Sequence, residues 1–391
     1  MLLAVALSTM CALPVFAVFD HAHTTHPDPN QRSIISEEQE KKEALAISKY
    51  NDLLIEWAVD SRFVHDIYTN FPYFFGGAYI DENKNLVINV TTHDEITIDY
   101  FSRIVNIENV VFNAVDYSMN ELIAQKDLAS ESMFAFNQRS ESSKVAGVGL
   151  CMRENSINLY IFTPSENNNA AQLAEQVRYE ITSFKNTIIV HIDEMPTELS
   201  NGAPGTGIGT TSMHTRSIGY WATDRFGQLS LVTAAHLGFD YNLQVAIQTI
   251  PFGRVLHSHN RDDTDAAFVL RTNSSFQPIR RVQDWNFDLI RGATIFLPQG
   301  SGVYSRGMSS GARFGTVTDI SATSHTGIRD TTRVDNTWGA RLDSGGVVAG
   351  SGNSNERFLA GIIQSGRDGG GNYFFYTKAA NINNRFSLSV W

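Results

Sequence analysis

Hydrophobic and polar positions follow two different rhythms along this chain, and the change falls near residue 200. Ser36 followed by Glu37-Glu38-Gln39-Glu40 predicts a helix start with acidic residues in its first turn, where carboxylates suit the helix dipole. Leu45, Ile47, Leu53, Leu54, Trp57, Ala58 and Phe63 carry that helix onward. Phe74 to Thr91 predicts strand, turn, strand, with Asp81-Glu82-Asn83-Lys84-Asn85 as turn chemistry and Leu86–Val90 as the second strand. Residues 93–142 read as mainly helical, with Val110–Val115 a strand between helices. Val145–Leu150 and Ile157–Phe162 predict a hairpin, residues 167–184 a helix and Ile188–Ile192 a strand. The two halves of this region share a loose plan of helix and strand pair, without a sequence repeat. Pro196, Gly202, Pro204, Gly205, Gly207 and Gly209 then accumulate, which predicts a domain boundary and a cleavage region between Met195 and Gly209. Beyond Ile218 the chain turns to short β segments separated by Gly, Asn, Asp and Ser. These are Ile218–Ala222, Leu229–Thr233, Gln244–Ile250, Ala267–Leu270, Ala293–Phe296, Val347–Ala349, Phe358–Ile363 and Tyr373–Tyr376. Many short strands without helices predict an all-β architecture.

The N-terminal stretch changes this picture. Residues 1–17 are apolar and end in small residues, with Val15 and Ala17 fitting a cleavage site before Val18. A membrane anchor is the rival reading, but the run is short for spanning and contains Pro14. A signal peptide, and hence secretion, is the expectation, with no stable membrane anchor. Residues 18–36 are polar and read as a linker; the three histidines between Asp20 and His26 point only faintly to metal.

Charge divides as the pattern does. The chain of 391 residues has a net charge of −11. Residues 201–391 hold 17 Lys and Arg against 13 Asp and Glu; residues 1–200 hold 13 against 28. Such opposed halves suit mutual attraction, so the acidic half is expected to partner the basic one. No basic run is present, which argues against nucleic acid. The two cysteines, Cys11 and Cys151, both precede the basic half, so that half has no internal disulfide.

The chemistry centres on Leu342-Asp343-Ser344-Gly345-Gly346. A serine hydroxyl becomes nucleophilic only with a base in reach and backbone N–H groups facing the developing oxyanion. Glycines after it allow a tight turn and a close substrate. The apolar run Leu229–Ala235 ends at His236, and Asp265 opens the apolar run Ala266–Val269. Histidine, aspartate, serine is one of the chain orders of a hydrolytic triad. Asp262 and Asp263 are rivals for the carboxylate. His257 and His259, two apart on a strand, read as surface residues and not as metal ligands.

Thr233-Ala234-Ala235-His236, Asp265-Ala266-Ala267-Phe268-Val269 and Asp343-Ser344-Gly345-Gly346 resemble the active-site blocks of chymotrypsin-like serine proteases. Val303 to Gly311, followed by Gly315-Thr316-Val317, resembles a hairpin of the bacterial streptogrisin and alpha-lytic branch. Gly77-Ala78-Tyr79-Ile80-Asp81 and Leu86 to Thr91 resemble the pro-region of alpha-lytic-type proteases. The resemblance implies two six-stranded antiparallel Greek-key barrels preceded by an α/β pro-domain. It divides the chain into a signal peptide (1–17), a chaperone and inhibitor pro-region (18–200) and a protease domain (201–391). It implies a secreted, monomeric serine endopeptidase that cuts protein or peptide substrates through an acyl-enzyme, using no cofactor and no metal. His236, Asp265 and Ser344 would be catalytic, and Asp343 a buried structural carboxylate. The backbone N–H groups of Ser344 and Leu342 would form the oxyanion hole, although the family has glycine where Leu342 stands. That departure, with the absent disulfides, raises the alternative of an impaired homologue acting as a binding module. Gly361 to Gly366 would pair with extended substrate. Gln364 or Ser365 takes the place of the family's serine there, with the register open, and Gly366 follows. Trp338, Gly339, Arg341 and Gly366 would wall the pocket, and Trp338 argues against trypsin-like specificity.

Overall fold

The computed structural model describes residues 37–57, 71–139, 144–162, 170–192, 197–198, 207–210, 215–236, 238–247, 250–282, 285, 287–324, 326–337, 343–352, 355–366 and 373–391. All of them belong to the unit Ser36–Trp391. The predicted signal peptide and linker, and Trp338, Gly339, Arg341 and Leu342, lie outside the described residues.

The first half is built twice on one plan. α1 (Glu37–Trp57), β1 (Phe75–Ile80), β2 (Leu86–Val90), α2 (Glu95–Ser102) and β3 (Val110–Ala114) form the first copy. α3 (Met119–Arg139), β4 (Lys144–Cys151), β5 (Ser156–Phe162), α4 (Ala170–Ile181) and β6 (Thr187–Ile192) form the second. In each copy the first two strands pair antiparallel and the third joins the second in parallel. The loose plan read from the sequence is therefore a true αββαβ repeat of topology. α1 buries Glu43, Ala46, Ile47, Tyr50, Leu53, Leu54 and Trp57, the three-and-four spacing of one helical face. A capping box opens α3: Glu121 accepts from the Ser118 N–H at 2.8 Å, and the Ser118 hydroxyl accepts from the Glu121 N–H at 3.3 Å.

The second half is β-rich, as its pattern predicts. It comprises β7 (Thr197–Glu198), β8 (Gly207–Thr210), β9 (Thr215–Ser217), β10 (Tyr220–Thr223), β11 (Leu229–Thr233), β12 (Gln244–Ile247), β13 (Ile250–Arg261) and β14 (Thr264–Arg271). β15 (Asp288–Thr294), β16 (Gly302–Gly307), β17 (Gly311–Ser324), β18 (Thr331–Asp335), β19 (Val347–Gly352), β20 (Glu356–Gly366) and β21 (Tyr373–Lys378) follow. α5 (Ala379–Phe386) and β22 (Ser389–Val390) end the chain. β16-β19-β20-β21-β18-β17 close into a six-stranded ring because β17 also pairs with β16. The other set runs β22-β10-β11-β14-β13-β12-β8-β9, eight strands with no closing pair among the described residues. Gln244 to Ile250 is a reversal and not one strand, since Ile247 pairs with Ile250.

In the eight-stranded set, β11 and β14 are buried on both faces. Leu231, Ala267 and Val269 face a core with Phe239, Val245, Phe252 and Val255. Their neighbours Val232, Ala266 and Phe268 face Val347, Leu359 and Ile362 of the ring. Side chains alternate along a strand, so burial on both sides favours the largely apolar runs that mark β11 and β14 in the sequence.

The two halves share a sheet. The far end of β17 pairs antiparallel with β4, Thr323 opposite Val148 and Ser324 opposite Gly147. One connected core runs from α1 and α3 into Val317, Ile320 and Val334 of the ring. Lys126 donates to Ser321 at 3.2 Å, and the Asn51 amide donates to the Phe296 carbonyl at 2.9 Å. Among the described residues no helix is long and apolar enough to cross a membrane.

Candidate active site

β11 delivers the histidine. Its strand ends at Thr233, and Ala234 and Ala235 carry the chain to His236. Arg216, with no exposed surface, donates to the Ala234 carbonyl at 2.9 Å and lies 4.4 Å over the Phe239 ring. It thereby fixes the turn that aims the imidazole. β14 delivers the aspartate at its second residue. Asp265 Oδ1 accepts from the N–H groups of Ala235 and His236 at 2.8 and 2.9 Å, while Oδ2 meets His236 Nδ1. Asp262 and Asp263 are directed instead toward Arg385. Among the three candidates, Asp265 is the carboxylate at the imidazole.

Burial pushes the Asp265 carboxyl up. The imidazole's charge, its hydrogen bond and the two backbone N–H donors outweigh that, and hold the group below the usual carboxylate range. An ionised acceptor keeps the imidazole proton on Nδ1 and leaves Nε2 free to accept.

The serine arrives on a turn tied to β20. Gly346 N–H donates to the Asp343 carbonyl at 2.7 Å, Gly345 N–H to Ile363 at 2.8 Å, and Ile363 N–H back to Gly346 at 2.8 Å. Gly345 has φ +86°, and a Cβ there would lie 2.2 Å from Thr233 Oγ1 and 2.6 Å from the Ser217 carbonyl. Glycine is therefore required by conformation and by space. Asp343 is buried and accepts from the N–H groups of Ser309 and Ser310 at 2.9 and 3.0 Å. It anchors the β16–β17 turn to the serine loop.

These elements bring Ser344 Oγ to 3.0 Å from His236 Nε2 and 3.2 Å from the Gln364 carbonyl oxygen. Ser344 and Asp265 have no exposed surface and His236 only 2%. The arrangement can pass the hydroxyl proton to Nε2 as the oxygen attacks an acyl carbon.

Gln364, Ser365 and Gly366 end β20 beside the serine. It is Gln364 whose main chain faces Ser344. Its side chain donates to Thr326 Oγ1 at 3.2 Å and accepts from the Ser365 hydroxyl. Ser365 and Gly366 pair with Glu198 and Thr197 of β7. The backbone of Leu342, one of the two expected oxyanion donors, lies outside the described residues. His257 is exposed and stacks on Phe268 and Phe386, with centroids at 6.1 and 5.6 Å. His259 lies 3.4 Å from Asp262. No cluster of metal-ligating residues occurs among the described residues. Arg216 escaped the sequence reading. Its one signal is an arginine four residues before Tyr220-Trp221, which has no fixed spacing to the triad.

Residues 33–115 match the family described as a pro-like N-terminal domain, which spans the first αββαβ copy. No curated protein sequence matches the chain. Solved structures resemble about half of the chain. A Nocardiopsis protease is 24% identical over 48% of this chain and 97% of its own, with a TM-score of 0.39. A Cellulomonas bogoriensis chymotrypsin is 22% identical over 48% and 97%, with a TM-score of 0.40. Thermobifida fusca protease A is 21% identical over 48% and 96%, with a TM-score of 0.38.

Proposed function

We propose that this chain is a serine endopeptidase made as a precursor and held inactive by its own N-terminal half. The observation that carries the reading is the approach of Ser344 Oγ to His236 Nε2, with Nδ1 of the same ring on the buried carboxylate of Asp265. In the reaction, Ser344 Oγ bonds to a peptide carbonyl carbon while His236 Nε2 takes its proton. The imidazolium is stabilised by ionised Asp265. His236 then protonates the leaving amine as the C–N bond breaks, and a water molecule hydrolyses the acyl-enzyme by the same route. The backbone N–H groups of Ser344 and Leu342 are the proposed oxyanion donors. Ser365 and Gly366 hold the acyl side of an extended substrate through main-chain hydrogen bonds.

The precursor reading is supported by the pro-like match and by the shared sheet and core of the two halves. The apolar run at residues 1–17 supports export, so the mature enzyme would act outside the cell, as a monomer, on proteins or peptides.

A fluorophosphonate probe tests the hydrolytic claim. The matured protein should label at Ser344, and Ser344→Ala should abolish both labelling and peptide hydrolysis. A folded protein that resists the probe would instead be the impaired homologue that Leu342 raises.

A further inference from the structure

β20 carries one residue more than its neighbour, and that residue faces the nucleophile. Ile363 stands opposite Tyr376 and Ser365 opposite Phe375, which leaves Gln364 without an opposing position on β21. On the other side, the pairing with β19 ends at Ile362. A bulged residue drops out of the ladder and re-aims its own groups. Here the carbonyl of Gln364 turns to Ser344 Oγ, 3.2 Å away. The serine loop is tied to β20 one residue earlier, at Ile363, so the ladder does not fix the position of this carbonyl. The Gln364 side chain holds it instead. It is fully buried; Nε2 donates to Thr326 Oγ1 at 3.2 Å and Oε1 accepts from the Ser365 hydroxyl. Thr326 is set in turn by Ser324 Oγ at 2.7 Å, on a turn closed by the Gly327 N–H donating to the Ser324 carbonyl at 3.0 Å. Ser324 is also the residue of β17 opposite Gly147 of β4. A buried amide is costly to leave unpaired, so these contacts select one conformation of the side chain, and with it one shape of the bulge.

We propose that Gln364 is a positioning residue for the nucleophile: its amide, clasped between Thr326 and Ser365, keeps the bulge carbonyl where it steers the Ser344 hydroxyl toward His236. This rests on the hydrolytic reading above and deepens it. A hydroxyl has one proton, and two acceptors lie in reach of it, His236 Nε2 at 3.0 Å and this carbonyl at 3.2 Å. Held between them, the oxygen stays beside Nε2. Loss of the second point frees rotation about the serine Cα–Cβ bond, and most of the rotamers gained are unproductive. His236 and Asp265 are carried by β11 and β14 and take no part in the clasp. Opening the clasp therefore slows attack without moving the pH at which the imidazole becomes a base.

Protein expressed as the whole chain and left to mature, carrying Gln364→Met or Thr326→Val, is compared with wild type by its rate of fluorophosphonate labelling across pH. Both substitutions keep the size of the side chain and remove its part in the clasp. Each should slow labelling at least about tenfold, with the midpoint of the pH profile and the melting curve unchanged. The two together should be no slower than either alone, because both open one clasp. Thr326→Ser keeps the hydroxyl and should restore the wild-type rate. Labelling at the wild-type rate in Gln364→Met and Thr326→Val overturns the proposal and leaves the hydrolase standing. Slowing that only follows a lowered melting temperature, or that adds in full in the double variant, also overturns it. Wild-type protein that folds and never labels removes the hydrolytic reading, and the proposal with it.

Discussion

Asp319→Asn should change stability with opposite consequences at high and low pH, because Asp319 is a buried acid in the seam between the halves. Its side chain has no exposed surface. Oδ1 accepts from the Asn158 amide of β5 at 3.1 Å, and Oδ2 has no hydrogen-bond partner. The backbone of β4 closes it in: a Cβ on Gly149 would lie 2.8 Å from its Cγ. Arg333, the cation whose charge acts on it, is committed elsewhere. It donates to Asp335 at 2.6 and 3.2 Å and lies 4.0 and 4.3 Å over the rings of Tyr160 and Tyr373. Burial therefore dominates, and the Asp319 carboxyl is raised from 3.8 to about 7, with Arg333 pulling it down and Asp335 pushing it up. A raised acid stabilises the fold fully below its unfolded value, and loses that contribution as pH climbs through the folded one. The loss runs from pH 3.8 to about 7 and is then constant. A shift of that size corresponds to about 4 kcal/mol at its upper bound. The asparagine escapes this penalty, but its NH2 meets the position where Oδ2 found no partner, which costs about 1–3 kcal/mol. The expected result is a gain of about 1–3 kcal/mol at pH 8, against no gain or a loss at pH 4.5. Urea unfolding of the full chain carrying Ser344→Ala, which keeps the halves joined, measures both. An effect of the same sign and size at the two pH values would show that Asp319 does not titrate in this window.

Other substitutions test separate links. Asp265→Asn replaces the acceptor at Nδ1 with an amide and favours the wrong tautomer, so kcat should fall about 10⁴-fold with little change in melting temperature. Gly345→Ala puts a Cβ against Thr233 and Ser217, so probe labelling should disappear and stability should drop by about 1–3 kcal/mol in a denaturation curve. Glu43, buried on α1, accepts from the Gly302 N–H and pairs with Lys84 at 2.9 Å. Glu43→Ala should lower the stability of the joined chain by about 1–3 kcal/mol by leaving that N–H unpaired.

The sequence exposes those parts of the fold whose chemistry is local. α1 is visible in its buried face from Glu43 to Trp57, and β11 and β14 are visible because burial on both sides favours largely apolar runs. The triad positions stand at the ends of such runs, where strand ends meet loops. α5 departs from the expectation of strands without helices: Asn381, Asn383 and Asn384 carry no helix signal, and the helix is held by Ala379 and Ile382, buried against distant strands. The choice between Gln364 and Ser365 was hidden for another reason. β20 carries an irregularity between Ile363 and Ser365, so counting along the strand does not give the facing residue. The repeat of topology in the first half leaves no trace in residue identity, because pairing order is set by packing across strands.

The shared sheet ties the α/β half to the ring. β17 is long enough to serve two sheets: its first part closes the ring against β16, and its last residues pair with β4. Removing the α/β half turns Thr323 and Ser324 into a bare edge and uncovers Asp319, Ser321 and Thr323, all now buried. An edge of that kind invites wrong pairing, and strand pairs distant in sequence are slow to find. With β4 already joined to β5 and β6, a local αββαβ unit offers β17 a preformed partner. The α/β half would thus speed closure of the ring by supplying a neighbour for its longest strand. The same contacts would disfavour its release.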